Sequence, residues 1–306
     1  MKILCIGHIT YDITFPTYSF PKENTKTRFH EKEECVGGPT AIAAILLSKW
    51  NETVEMAGIL GNDEYGKKIK KELTLNKVGT KYVILKEEYK TSHSLVLANR
   101  ENGTRTILTY ADNNNHLTPF IPEESPDIIL IDGYEYEASK QILKKYPKAI
   151  SVIDASYNKK ETVELARMVN YLICSKDFAE KTTGIKLEFQ NKENLLNAFL
   201  KMEKTFKNNV IITLEENGCI YRDGEVKIMP SIKVKTVDST GAGDIFHGAF
   251  VYGLAKAFAL EKTLKYAVIA GALSVTRVGG YHSIPTLEEM NEVYEQVKWY
   301  SFCKYI

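Results

Sequence analysis

Short apolar runs alternate along the chain with longer stretches of helical periodicity. Residues 2–6 read as a first strand, ended by Gly7. Residues 39–50 read as a helix apolar on most sides, hence buried, and residues 54–60 as another strand. Residues 63–77 read as an amphipathic helix with Ile69 and Leu73 turned inward. Further short apolar runs occupy 127–131, 150–154, 171–174 and 210–213, with helical segments between the first two and within 161–169. The last third is helical over 242–257, 260–277 and 286–299. Strands that alternate with helices predict an α/β fold, a doubly wound and mostly parallel sheet flanked by helices.

Two stretches break this rhythm. Residues 12–36 are polar and irregular and end in the alternating segment 28–35. Residues 91–110 hold two strand-like runs, 92–98 and 106–110, joined by Glu101-Asn-Gly-Thr104. The Asn-Gly pair predicts a hairpin turn, where positive φ is needed. These runs interrupt the βα alternation, so they predict a small separate sheet: either a plain surface hairpin or a lid over a site on the core. Length leaves open one large domain or two smaller ones, with one large α/β domain common at this size.

Composition narrows the functions. The chain has 306 residues and is 44% hydrophobic, enough for a sizeable core. Lys plus Arg total 40 against 39 Asp plus Glu, so no global field attracts nucleic acid or an anionic membrane. Any anion site must be local. No basic stretch followed by a long apolar run opens the chain, which predicts no secretory signal. No apolar run approaches the roughly 20 residues that span a bilayer. A cytoplasmic protein is the expectation. The five cysteines (Cys5, Cys35, Cys174, Cys219, Cys303) lack CxxC spacing and do not cluster with histidines, so they read as small buried hydrophobes.

The most informative segment is Val237-Asp-Ser-Thr-Gly-Ala-Gly-Asp-Ile-Phe-His-Gly-Ala-Phe250. It follows a strand-like run, 232–237, and opens an apolar helix. Gly241, Ala242 and Gly243 can present successive backbone N–H groups at the helix start, where the helix dipole also favours an anion. Asp244 in the first turn would sit beside that anion. It could take a proton from an attacking hydroxyl while the amides stabilise charge developing on a phosphoryl group. A second phosphate motif, Gly61-Asn-Asp-Glu-Tyr-Gly66-Lys67-Lys68, fits GxxxxGK, but Lys68 cannot hold Mg²⁺ by a hydroxyl as the next Ser or Thr of a P-loop does. Asp63 and Glu64 would also repel phosphates. His8, His93 and His247 have no spacing that makes a metal site or triad and read as packing or hydrogen-bonding residues. No GxSxG or HExxH is present, and Lys67–Lys71 reads as a solvated helix face.

The segment Asp238-Ser-Thr-Gly-Ala-Gly-Asp244 resembles the C-terminal signature of the ribokinase-like (PfkB-type) carbohydrate kinases, with only Ser239 departing. The resemblance implies an anion hole at Gly241, Ala242 and Gly243 and a base at Asp244. It extends over nearly the whole chain. Gly61, Asp63 and Gly66 match the family's Gly-x-Asp-x-x-Gly turn. Gly7-His-Ile-Thr-Tyr-Asp12 resembles the motif in which an aspartate binds sugar hydroxyls, and Gly37-Gly38 the di-glycine whose backbone lies against the sugar. The Asn usual a few residues on is here Ile42, which cannot hydrogen-bond.

Residues 102–108, including Arg105, resemble the family's lid strand, most closely that of ketohexokinases. Residues 174–180 continue that likeness, with Ser175 and Phe178 in place of an Asn-x-x-Glu motif that organises Mg²⁺; Asp177 and Glu180 are weak substitutes. Residues 210–218 resemble the nucleotide-side strand and turn, implying nucleotide contacts at Thr213, Glu215 and Gly218 along with Ser175, although Glu215 stands where glycine is usual. Residues 267–276 resemble the wall of the adenine pocket. Asp238, Thr240, Ser274, Arg277, Gly279 and Ser283 resemble the loops that cage a monovalent cation, chiefly by backbone carbonyls, in potassium-activated members.

The resemblance thus implies a single domain over 1–306, with lid segments at about 12–36 and 91–111, and a sugar kinase using ATP and Mg²⁺, with K⁺ as a further cofactor. It favours a ketohexose such as fructose, with Asp12, Gly37, Gly38 and Arg105 holding the sugar. A nucleoside kinase of adenosine type and a non-catalytic sugar- or nucleotide-binding protein are the alternatives. Family members often dimerise through their lids, which makes a second copy the implied protein partner.

Overall fold

The computed structural model describes residues 1–101, 103–111, 115–297 and 304–305. Asn102 of the expected turn, residues 298–299 of the expected last helix and Cys303 lie outside them.

The main sheet is built from β1 (Lys2–Ile6), β4 (Thr53–Gly61), β5 (Gly79–Lys86), β8 (Ile128–Ile131), β9 (Ile150–Ala155), β10 (Tyr171–Cys174), β11 (Asn209–Thr213), β12 (Cys219–Asp223), β13 (Glu225–Met229) and β14 (Lys304–Tyr305). Their order is β14-β13-β12-β11-β10-β9-β8-β1-β4-β5. Pairing is parallel from β5 to β11 and antiparallel beyond it. After β1 the chain builds outward on one side through β4 and β5, then returns to build the other side from β8. The order therefore switches between β1 and β8, where a doubly wound sheet opens a crevice at the carboxyl ends of its strands.

The helices are α1 (Pro39–Lys49), α2 (Glu64–Leu75), α3 (Tyr136–Lys145), α4 (Lys160–Ala166), α5 (Lys176–Thr183), α6 (Lys192–Phe206), α7 (Ala242–Ala255), α8 (Leu260–Ser274) and α9 (Leu287–Gln296). The mostly apolar α1 is buried from Thr40 to Leu47. It packs against α7, where a Cβ on Gly248 would lie 3.1 Å from Ala43 Cα, so glycine lets the two helices cross closely without displacing a neighbour. One part of the core lies with α1, α7 and α8, and another with α3 to α6.

The separate sheet has the order β3-β2-β6-β7, from β3 (Glu33–Gly37), β2 (Thr10–Thr17), β6 (His93–Asn99) and β7 (Arg105–Tyr110). It takes in both stretches that broke the alternation, and its outer strand β7 is exposed throughout. One expectation fails. Residues 232–237 form no strand; the Val237 N–H donates instead to the Val275 carbonyl, at 2.7 Å.

The GxxxxGK look-alike has a structural task. Asp63 caps α2 by accepting from Gly66 N, and also accepts from the N–H and hydroxyl of Thr91, just before β6. Gly61 N donates to the same hydroxyl. Burial alone would raise the Asp63 pKa, but these donors hold it below the usual carboxylate value. One carboxylate thus ties the start of α2 to the root of the lid. Asp63→Ala is expected to lose about 2 kcal/mol of stability, the scale of a lost cap plus a buried hydroxyl left short of its acceptor. Urea denaturation would measure it, and a loss below about 0.5 kcal/mol would contradict the clamp.

Candidate active site

At the carboxyl edge of the main sheet the chain runs from residue 238 into α7. Gly241 sits at φ 80°, a left-handed conformation suited to glycine, and no side chain caps the helix. The first amides of α7 therefore lack intrahelical partners. A Cβ on Gly243 would meet nothing within 4 Å, so the space over this turn is open. Asp244 is half-buried in the first turn. Burial first, then the Asp154 carboxylate, push its pKa up to about 7, against the pull of His247 and Arg105.

Three further aspartates converge here. Asp12, in β2, has its pKa raised to about 6 by burial. The hydroxyls of Ser94 and Thr10 pull it back, yet Oδ1 is buried and accepts no hydrogen bond of normal geometry. Asp132 follows β8 and accepts from His8 N at 2.8 Å, Thr40 Oγ1 at 3.0 Å and Tyr134 N at 3.1 Å. Burial pushes it to about 7. Asp154, at the end of β9, lies 3.2 Å from Nδ1 of His247. Neither Asp132 nor Asp154 was singled out from the sequence. Each is an acidic residue at the end of a mostly apolar strand, and that position beside the switch point was the signal available.

The di-glycine has reasons within the chain. A Cβ on Gly37 would lie 2.1 Å from Asp12 Oδ2, and one on Gly38, at φ 102°, would lie 2.2 Å from the His8 carbonyl oxygen. Ile42 comes near the loop at 238–243: a Cβ on Gly241 would be 3.5 Å from Ile42 Cδ1. The lid closes on the same loop. Arg105 Nη1 donates to Ser239 Oγ at 2.5 Å, and that hydroxyl donates to the Gly103 carbonyl at 3.2 Å. Tyr134 stacks on His8 (centroids 4.6 Å apart) and meets Tyr157 edge-on (6.1 Å). Burial and Lys159 hold the His8 pKa at about 4. His93 stacks near Tyr65 and Tyr110 in the lid instead.

The implied nucleotide residues divide. Ser175 Oγ caps α5 through Phe178 N, and Phe178 is fully buried core, so these two positions hold neither a carboxylate nor an amide toward a metal. Asp177 pairs with Lys181, and Glu180 accepts from Leu187 N and pairs with Lys186. Both substitutes are engaged within α5 and the loop after it. Thr213 Oγ1 donates to the Cys174 carbonyl, at 3.2 Å. Glu215 is exposed at φ 55°, the left-handed region that makes glycine usual there. Gly218, at φ 93°, has no room for a Cβ, which would lie 1.9 Å from the Met229 carbonyl oxygen.

The implied cation loops do meet. Asp238 accepts from Thr240 N at 2.9 Å and Gly279 N at 2.8 Å, and Gly280 N donates to the Thr240 carbonyl. Ser274 and Ser283 are buried and donate to the carbonyls of Gly271 and Gly280. Thr240 Oγ1 is buried without a partner. The Arg277 guanidinium pairs with Glu289 at 2.6 Å, which leaves this residue only its carbonyl for a cation. Among the described residues no group of three His, Cys, Asp or Glu could hold a metal ion, and no helix is long and apolar enough to cross a membrane.

Known proteins resemble this arrangement. Residues 1–287 match the description "pfkB family carbohydrate kinase". A ribokinase of Lactococcus lactis is 29% identical over 94% of this chain and 95% of its own. A nucleoside kinase of Methanocaldococcus jannaschii is 24% identical over 96% and 97%. The structure of Arabidopsis thaliana ribokinase complexed with ribose and ATP superposes with a TM-score of 0.83 at 21% identity, covering 96% of this chain and 99% of that one.

The raised pKa values set a stability trend for the free protein. Asp12, Asp132 and Asp244 bind protons more tightly folded than unfolded. Between about pH 4 and pH 7 the native state holds more protons, so stability falls as pH rises through that window. Asp244→Asn removes one contributor. Its urea midpoint should exceed the parent's by more at pH 8 than at pH 5; equal gains at the two values would contradict the assignment.

Proposed function

The chain belongs to the pfkB family of carbohydrate kinases, and on that premise we propose that it phosphorylates a hydroxyl of a ribose-type pentose. It is an ATP-using phosphotransferase with an alcohol group as acceptor, among the ribokinase-like carbohydrate and nucleoside kinases. The observation that carries the reading is the uncapped first turn of α7, open over Gly243, with a carboxylate of raised pKa in that same turn.

In this reading the γ-phosphoryl group of ATP lies against the amides at Gly241, Ala242 and Gly243, which stabilise the charge it develops. Asp244 accepts the proton of the attacking hydroxyl. Asp12, whose Oδ1 lacks a donor, takes a sugar hydroxyl, and Arg105 brings positive charge from the lid. Thr213, Glu215 and Gly218 border the nucleotide. Mg²⁺ would arrive with the nucleotide, held by phosphates and water, and would supply charge neutralisation there. The orphaned Thr240 hydroxyl beside Asp238 fits a monovalent cation such as K⁺, which would add fixed positive charge behind the anion loop. A second copy of the chain would suit the exposed β7, with Ile107, Leu108 and Tyr110.

The ketohexose expected from residues 102–108 and 174–180 has no support in the relatives, whose names are ribokinase, nucleoside kinase and deoxyribokinase. One observation favours a nucleoside as second reading. Tyr134 and Tyr157 lie within electrostatic reach of Asp244, and the exposed Tyr157 ring offers a face on which a base could stack.

A coupled assay of ADP release with D-ribose, 2-deoxy-D-ribose, D-fructose and adenosine tests the proposal. D-Ribose should give the highest kcat/KM; a higher value with fructose or adenosine would reject the pentose reading. Asp244→Asn should lower kcat by at least roughly 10²-fold, the scale of general-base catalysis. A base must be unprotonated, so kcat should fall as pH drops below about 7; a rate flat from pH 8 to pH 5 would remove Asp244 from that role.

A further inference from the structure

His247, one helical turn after Asp244, is buried in α7. Its Nδ1 lies 2.7 Å from the Gly243 carbonyl oxygen and 3.2 Å from Asp154 Oδ2. Its Nε2 lies 3.4 Å from the Ile173 carbonyl oxygen. The Gly243 carbonyl oxygen can only accept, so Nδ1 must carry a proton to bond it, with the Asp154 carboxylate alongside. Asp154 is only 3% exposed on its side chain. Its Oδ1 accepts from the Ser156 hydroxyl, while Oδ2 is buried and accepts no hydrogen bond of normal geometry. A buried carboxylate oxygen without a hydrogen bond is costly, and the imidazole 3.2 Å away is the group placed to offset it.

We propose that Asp154 and His247 are positioning residues for phosphoryl transfer: the buried carboxylate orients the imidazole, and the imidazole grips the Gly243 carbonyl and with it the first turn of α7. The inference rests on the reading of Asp244 as base. The Gly243 carbonyl and the Asp244 amide share one planar peptide unit, so holding the oxygen fixes the direction in which the Asp244 Cα leaves it. The grip falls where it is needed. Gly241 and Gly243 leave this turn loose, and a Cβ at Gly243 would meet nothing. The other end of the grip is rigid, because Asp154 belongs to β9 and Ile173 to β10, two paired strands of the central sheet.

The pair also acts on Asp244 electrically. The groups that face it are Asp154 from β9, His247 from α7, Arg105 from β7 and Asp12 from β2, with the phenols of Tyr134 and Tyr157 alongside. Asp154 raises the Asp244 pKa and His247 lowers it. Replacing the two partners should therefore move the acid limb of the kcat profile in opposite directions, which loss of packing alone would not do.

Three variants would be assayed with MgATP and the best acceptor of the four-compound panel, beside Asp244→Asn. Asn carries its amide nitrogen where the ring carries Nδ1, so His247→Asn should keep kcat within about threefold while its acid limb moves up. His247→Leu, without a donor, should lose about 10²-fold in kcat, the scale of a misplaced catalytic group, with the KM for ATP little changed. Asp154→Asn should shift the acid limb downward. If Asp244→Asn abolishes turnover while Asp154→Asn and His247→Leu keep the parent's kcat and acid limb, the pairing is wrong and the base reading stands. If Asp244→Asn keeps full turnover, the base reading itself falls. A readout independent of activity is the ¹⁵N–¹H spectrum of the His247 ring in the parent protein. A proton on Nδ1 is expected, and a bare Nδ1 would overturn the grip.

Discussion

Four aspartates meet at one edge of the central sheet, and like charges held that close in a partly dry crevice repel one another strongly. Asp12, Asp132 and Asp244 all bind protons more tightly than exposed carboxylates do, with burial the first cause in each. The fold answers each charge differently. Asp132 is saturated by two backbone N–H groups and the Thr40 hydroxyl. Asp154 faces His247. Asp12 keeps an oxygen without a donor, and Asp244 has only partial relief from His247 and Arg105. The two saturated or paired aspartates read as framework. The two incompletely satisfied ones mark where a ligand's hydroxyls would complete the arrangement.

Topology explains why these residues meet although they are scattered over more than two hundred positions. β1 and β8 diverge at the switch point, and β9 lies beside β8. Their carboxyl ends deliver the His8 amide, Asp132 and Asp154 to one crevice. The lid enters through β2, which carries Asp12, and returns through β7, which carries Arg105. Asp63 ties the lid's root to α2 through Thr91, while Ser239 ties the lid's tip to the loop that opens α7. The lid is thus fastened at its root by a partly buried carboxylate network and at its tip by more exposed hydroxyl contacts that a ligand can exchange.

Much of this was legible in the residues. The bounds read for β1 and β10 are those observed, because each is a short apolar run with a clear stop. Asp244 was legible because glycines and an acidic residue at a helix start carry a physical meaning of their own. Residues 232–237 misled because an apolar alternation does not say whether a partner strand is available; Val237 bonds to a loop carbonyl instead. The helix α6 went unread although Leu195, Phe199, Met202 and Phe206 mark one buried face at helical spacing. The Asp154–His247 pair could not be read, since the partners lie 93 positions apart in residue number and only the packing of α7 on the sheet unites them.

The central claim is that the first turn of α7 receives the transferring phosphoryl group while Asp244 faces the attacking hydroxyl. A crystal structure with ADP, Mg²⁺, aluminium fluoride and D-ribose would test it most directly. The account predicts the fluoride group within hydrogen-bond distance of the amides at Gly241–Gly243, with a ribose oxygen between it and the Asp244 carboxylate. A fluoride group bound elsewhere, or an acceptor oxygen out of reach of Asp244, would contradict it.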